Sequence, residues 1–426
     1  MTSARQLLRV LRHRDFRLLW LANSASVVGD RIVTVALALF VVGLTGSATD
    51  LGFVLAAYSL PLIGFLLVGG VFADRLPRHL VVVVTDLVRF ALHGLLALLI
   101  VAGAVRIWQL VAIGVLFGTA EAFYRPAATG LLPQTVPEDE IQEANAVTAM
   151  FQNVAEFVGP ALAAALVLGI GPATAFGLDA ATFLVSAALL VRVRPRERGM
   201  QPTTAAASVW SDVRAGYHEV RSRTWVWATL AVFSVALFVS LAPLLVVGPL
   251  VAREQYGDIA VYGYVLAAFG AGTVGGSLTA IRWRPRHPMR LGMILVLLWP
   301  ATTAVFAVGA PLLLVIPAMA IGGAGTALFD VWWVTALAER IPPDKLSRVT
   351  SYDLAASLGL MPLGYVLAGP AADAFGATEL LLGGAVIAFV MLALGLVPRQ
   401  TWTLERGDEP AVAVPLAEAH PRVPAA

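Results

Sequence analysis

The segment Gly70-Val71-Phe72-Ala73-Asp74-Arg75-Leu76-Pro77-Arg78-His79 sets an acid and two arginines between two long apolar runs, 50–73 and 79–103. Each run exceeds the roughly 20 apolar residues that carry a helix across a bilayer. The pair therefore reads as a helical hairpin whose charged turn stays in water. The same reading extends in both directions and gives twelve spans: 18–44, 50–73, 79–103, 107–132, 144–169, 172–192, 226–250, 259–282, 289–309, 312–336, 347–371 and 377–397. No strand-like alternation accompanies them. Helices are then the spanning option that satisfies every backbone polar group in lipid.

Composition agrees. Of 426 residues, 59% are hydrophobic and 13% charged, about half the charged share of roughly 25% in a soluble domain. That speaks against a soluble enzyme or a nucleic-acid binder, and a net charge of +2 adds no case for a nucleic-acid partner. The absence of cysteine removes disulfides, thiolate metal sites and cysteine nucleophiles together. The sequence holds no phosphate-binding glycine-lysine loop, no paired-histidine metal spacing and no nucleophile triad. We expect no catalytic residue, no metal and no cofactor.

The cations set the orientation. All but five of the 29 Lys and Arg lie before span 1, after the even-numbered spans or in the tail. Arg106 and Arg253 sit in the opposite loops, and Arg31, Arg89 and Arg125 lie within spans. By the positive-inside rule both termini are expected in the cytoplasm of a bacterial-type inner membrane. The expected organisation is a cytoplasmic segment 1–17, a six-helix bundle 18–192, a cytoplasmic linker 193–225, a second six-helix bundle 226–398 and a disordered cytoplasmic tail 399–426. In the linker, Trp210, Val213, Tyr217 and Val220 form one stripe of an amphipathic helix. It reads either as lying on the membrane surface or as packed on the bundle.

The two halves repeat. Gly69-Gly70 and Pro77-Arg78-His79 recur as Gly275-Gly276 and Pro285-Arg286-His287, and Gly118-Thr119-Ala120 as Gly325-Thr326-Ala327. Val136-Pro137-Glu138-Asp139 matches Ile341-Pro342-Pro343-Asp344, and Gly159 matches Gly364. Two parallel repeats with a site between them is a transporter plan. The loop Gly70 to Arg78 resembles the G-x-x-x-D-R-x-x-R motif of the major facilitator superfamily. Asp15-Phe16-Arg17-Leu18-Leu19-Trp20, Phe123-Tyr124-Arg125-Pro126-Ala127, Gly159-Pro160-Ala161 and Asp179-Ala180-Ala181-Thr182-Phe183 resemble its macrolide-efflux and enterobactin-exporter branch. The resemblance implies an all-α membrane protein of two pseudo-symmetric six-helix bundles. It also implies a cytoplasmic gate built on Gly70, Asp74, Arg75 and Arg78, with Asp86 and Arg89 as further members. The chain departs from the proton-coupled drug exporters in lacking their arginine motif in span 4.

Charges in mid-membrane are functional candidates, because burying them costs several kcal/mol. At about 1.5 Å per residue, Asp30, Glu121 and Glu156 lie roughly 18–21 Å along their helices, whereas Asp86 and Arg89 lie only about 9–10 Å from the cytoplasmic end. Asn145, Gln152, Glu156 and Gly159 share one face of span 5, which points to a cavity lining or to interhelical bonding. Glu121 and Arg125, one turn apart, can pair with each other or serve substrate and proton. Gly159-Pro160 allows a helix bend. Taken with the resemblance, these features predict an alternating-access antiporter, monomeric, that couples proton entry to efflux of a drug-like or secondary-metabolite small molecule. A siderophore exporter and a non-transporting membrane sensor or scaffold are the alternatives.

Overall fold

The computed structural model describes residues 9–141, 143–149, 151–152, 155, 166–167, 169–196 and 209–404. Eleven described helices are long and apolar enough to cross a membrane. The expected span 144–169 runs largely outside the described residues. The amino-terminal half contains α1 (Arg14–Thr45), α2 (Ala48–Arg75), α3 (Arg78–Val101), α4 (Ile107–Leu131) and α5 (Pro172–Leu190). The linker carries α6 (Val209–Ser222). The second half has α7 (Thr224–Ala236), α8 (Ala242–Tyr256), α9 (Ala260–Arg282), α10 (Pro288–Val296), α11 (Leu298–Ala307), α12 (Leu312–Arg340), α13 (Pro343–Gly359), α14 (Met361–Phe375) and α15 (Ala377–Leu394), then a short α16 (Arg399–Thr403).

Local sequence explains the punctuation. Gly46 ends α1 in the left-handed region at φ 69°, where glycine carries no Cβ penalty. Ser47 then caps α2 by accepting from the Asp50 amide at 3.2 Å. Three spans are interrupted just before a proline. A π-turn at Leu237–Leu241 precedes Pro243, α10 gives way to α11 before Pro300, and α13 to α14 before Pro362. Each proline lacks the N–H that would continue the ladder. The expected bend at Gly159-Pro160 lies outside the described residues.

Glycines bring equivalent helices together in both halves. A Cβ on Gly69 or Gly118 would strike the backbone of Ala122 or Tyr58, so α2 and α4 cross closely. Gly276 and Gly323 do the same for α9 and α12 against Ala324 and Phe269. Gly70 of the gate motif faces open space; its neighbour Gly69 makes the contact. The physical reason is helix phase, since one residue rotates the contact by about 100°.

The apolar cores show how the halves meet. At the end bearing the basic loops each half has its own core. Phe16, Val82 and Leu131 belong to one, and Trp225, Met289 and Leu392 to the other. At the opposite end a single core joins both halves, including Val42, Leu51, Val247, Val261 and Ala368. There α2 and α14 touch through Gly52 on the Tyr365 carbonyl and Gly369 on Thr49. Thr49 Oγ1 donates to Asp373 at 3.0 Å. The bundles are therefore joined at one end and separate at the basic end.

The linker helix α6 packs on the second half. Val220 is buried while Tyr217 is exposed. Glu219 binds Arg223 and accepts from Lys345 of α13 at 3.1 Å. Partial burial opposes ionisation, but the bonds and charges of Arg223 and Lys345 outweigh it and hold this carboxyl below its usual range. Trp332 and Trp333 are buried against Trp283 and Trp225 respectively.

Two outcomes are expected. Gly369→Val adds a Cβ against Thr49. Overpacking of about 1–3 kcal/mol would shift the population away from the closed end by roughly 5- to 150-fold. Because the chain has no cysteine, thiol labelling of a single introduced cysteine, Ser351→Cys, reads this directly, and unchanged labelling would refute the role of the crossing. Glu219 has a lowered folded pKa, so its contribution is present above the ordinary carboxylate range and is lost as pH falls through and below it. Amide protection across 209–222, taken relative to the intrinsic exchange rate at each pH, should fall on acidification through that range, and the fall should be absent in Glu219→Gln.

Candidate functional site

A cavity of about 1170 Å³ lies between the halves. It runs from Val54, Leu110 and Tyr262, near the joined end, to Gly130, near the basic end. Its walls differ in chemistry. Among the described lining residues, the acidic, basic and histidine side chains Asp30, Arg31, His93, Glu121 and Arg125 all come from the amino-terminal half. The second half supplies Leu245, Leu266 and Leu354 together with Ser351, Tyr262 and Tyr365.

The polar wall rests on one stripe of α3. Residues 82, 86, 89, 93 and 96 recur at helical spacing, and all five are buried. Arg89 has no exposure and touches acids on its own and a neighbouring helix. Its Nη2 bonds Asp86, and its Nη1 donates to Glu121 Oε2 at 2.8 Å. The guanidinium also lies 3.8 Å from the centre of the Tyr124 ring and 4.4 Å from that of Phe183. These cation–π contacts replace part of the lost hydration. Asp86 completes its shell by accepting from Ser186 at 2.6 Å.

Glu121 is held from two sides. Besides Arg89, Arg125 donates Nε–H to Glu121 Oε1 at 2.9 Å. Both carboxylate oxygens are thus occupied by guanidinium donors, in charge-assisted bonds. Asp86 and Arg89, expected near the cytoplasmic gate, belong to this buried cluster. Their side chains turn inward to α4 and α5.

Asp30 lies on the cavity wall beside Arg31 and shares the field of Asp179, Glu121 and Arg89. Gln152 also lines the cavity. Asn145 is exposed and donates to the Ile141 carbonyl at 3.0 Å, a local bond within its own helix. Glu156, Gly159 and Pro160 fall outside the described residues. In the gate motif, Arg78 donates to the Gly130 carbonyl at 2.7 Å and to Ala73 at 3.3 Å, fastening the basic ends of α2 and α4. Arg75 is exposed; the side chain of Asp74 is outside the described set.

One buried acid behind the wall was missed. Asp179 on α5 has no exposure and faces His93 Nδ1 through Oδ2. A Cβ on Gly29 would meet its Oδ1, so glycine at 29 is what allows α1 to close over it. The criterion that selected Asp30, an acid well inside an apolar run, would have selected Asp179 too.

The cluster sets a test of its own. Arg89→Met leaves Asp86 and Glu121 buried with less compensation, at a cost of about 3–5 kcal/mol. We expect a clearly lower melting temperature for the detergent-solubilised protein. An unchanged melting temperature would mean that Arg89 is dispensable to the fold.

Known proteins agree with this architecture. The sequence profile of a family described as transmembrane secretion effectors matches residues 7–417. The chain is 21% identical over 387 residues to macrolide efflux protein A of Streptococcus pyogenes, covering 90% of this chain and 95% of that protein. It is 26% identical over 389 residues to the multidrug efflux pump Tap of Mycolicibacterium fortuitum, with coverage of 87% and 91%. The crystal structure of the nucleoside transporter NupG matches with a TM-score of 0.71 over 92% of this chain and 99% of that one, and at 12% identity it shows the shared fold. These matches, with paired bundles around a half-polar cavity, place the chain in the transmembrane secretion effector family of the major facilitator superfamily, as a multi-pass membrane transporter.

Proposed function

We propose that this transporter exports a drug-like or secondary-metabolite small molecule from the cytoplasm in exchange for protons. The observation that carries the reading is the cavity, charged on one wall and apolar and aromatic on the other, with the halves joined at one end only. At about 1170 Å³ it exceeds the usual 300–1,000 Å³ of small-ligand pockets, which suits a bulky, partly apolar cargo. The efflux relatives support the direction. By the positive-inside rule the basic end is cytoplasmic, so the described state faces inward and both termini lie in the cytoplasm.

In this reading Asp30 meets the cavity and exchanges a proton or a cationic group, and Glu156 does the same from span 5. Glu121, Arg125 and Arg89 form the fixed charges against which that exchange occurs. Gln152 contributes a neutral hydrogen-bonding group. Gly70, Asp74, Arg75 and Arg78 govern closure at the cytoplasmic end, and Gly159-Pro160 lets span 5 bend. The functional unit is a monomer of two bundles, 18–192 and 226–398, tied by the linker 193–225.

The test uses purified protein in proteoliposomes with erythromycin as probe. A pH gradient should drive erythromycin movement by the wild type. Asp30→Asn and Glu156→Gln should each abolish the gradient-driven component while protein yield stays intact. Wild-type flux indifferent to the gradient would eliminate proton coupling, and full activity in both variants would eliminate these acids as coupling groups.

A further inference from the structure

Behind the cavity wall, His93 and Asp179 form a pair that the doubly bonded Glu121 cluster does not absorb. His93 borders the cavity yet is only 6% exposed. Its ring stacks on Phe117 at 4.2 Å between centroids and 13° between planes, and meets Phe176 edge-on at 5.7 Å. That clamp fixes the imidazole with Nδ1 toward Asp179 Oδ2. Asp179 is fully buried, and its Oδ1 accepts no hydrogen bond among the described residues.

A carboxylate with no exposure and one empty oxygen is under-compensated when its only side-chain partner is a neutral imidazole. A proton on His93 turns that hydrogen bond into an ion pair. Histidine is also the side chain whose charge changes most readily near neutral pH. The other charged and titratable groups around the pair are Asp30 and Arg31 on α1, Tyr58 on α2, Asp86 and Arg89 on α3, and Glu121, Tyr124 and Arg125 on α4. Of these, Asp86, Arg89, Glu121 and Arg125 are bonded to one another. They offer the pair no donor or acceptor that would replace the proton.

We propose that the His93–Asp179 pair is a proton-binding site of the amino-terminal bundle, loaded from the cavity through His93. In this step the proton from cavity water adds to the imidazole, forming imidazolium against the Asp179 carboxylate; release reverses it, with no other bond formed or broken. Asp30 follows Gly29, whose backbone lies against Asp179 Oδ1, so the pair's charge state is felt on α1 at the residue that meets cargo. The part played in transport rests on the proton-exchange reading above; the protonation itself does not.

The test is pH-difference infrared spectroscopy on the full chain in lipid nanodiscs, without cargo, using ring-labelled histidine. Wild type taken from pH 9 to pH 5 should show imidazole-to-imidazolium bands of which one component disappears in His93→Gln. The same component should weaken or move in Asp179→Asn, a variant that keeps the shape of the pair and removes its charge. Identical difference spectra for wild type and His93→Gln would overturn the site. So would a His93 component indifferent to Asp179→Asn. If one variant fails to elute as a folded monomer, the other still decides, because each alters the same band. A parallel erythromycin flux assay separates the two proposals. Gradient-driven flux lost in His93→Gln, with exchange at equal pH retained, supports coupling through the pair. Unaltered gradient-driven flux in that variant overturns its coupling role. Wild-type flux insensitive to the gradient, beside a positive infrared result, defeats the exchange reading and leaves the site standing.

Discussion

A guanidinium without access to water governs the amino-terminal bundle. Arg89 lies where hydration is absent, and the cost of such a charge must be met by neighbours in fixed positions. Two carboxylates and two aromatic faces meet it, drawn from α3, α4 and α5. Moving any of these helices independently would strip a charge of its partners. The cluster therefore holds these helices as a unit, which is what a bundle that moves as a body requires.

The second half is built on a different principle. Its core at the basic end is made of Trp225, Met289, Phe329 and Trp333, and its cavity wall is chiefly leucine and tyrosine. A charged wall thus faces one that is apolar and aromatic. The asymmetry also confines the acidic, basic and histidine residues of the cavity, among those described, to one half.

Much of this was legible in the sequence, and the misses have physical causes. The helix limits at Gly46, Ser47 and the interrupting prolines follow from local chemistry. The Glu121–Arg125 pair is one turn apart and was readable. The second partner of Glu121, Arg89, lies 32 residues away on another helix, and only packing could choose it from the other cations. The stripe through 82, 86, 89, 93 and 96 carries the inward turn of Asp86 and Arg89 at helical spacing. Gly69 and Gly70 are adjacent and chemically identical, so nothing in the chain says which one faces α4.

What the sequence determined by itself was the solvent and the frame: hydrocarbon around a helical bundle, basic loops on one side and a chain repeated near its midpoint. Those properties add up residue by residue, because the free energy of transfer into lipid depends chiefly on local composition. Tertiary structure alone decided which buried charges neutralise one another, which helices cross at glycine, and which end of the cavity is closed. Each depends on helix rotation and on contacts between residues far apart in the chain, where an ångström or a turn changes the partner.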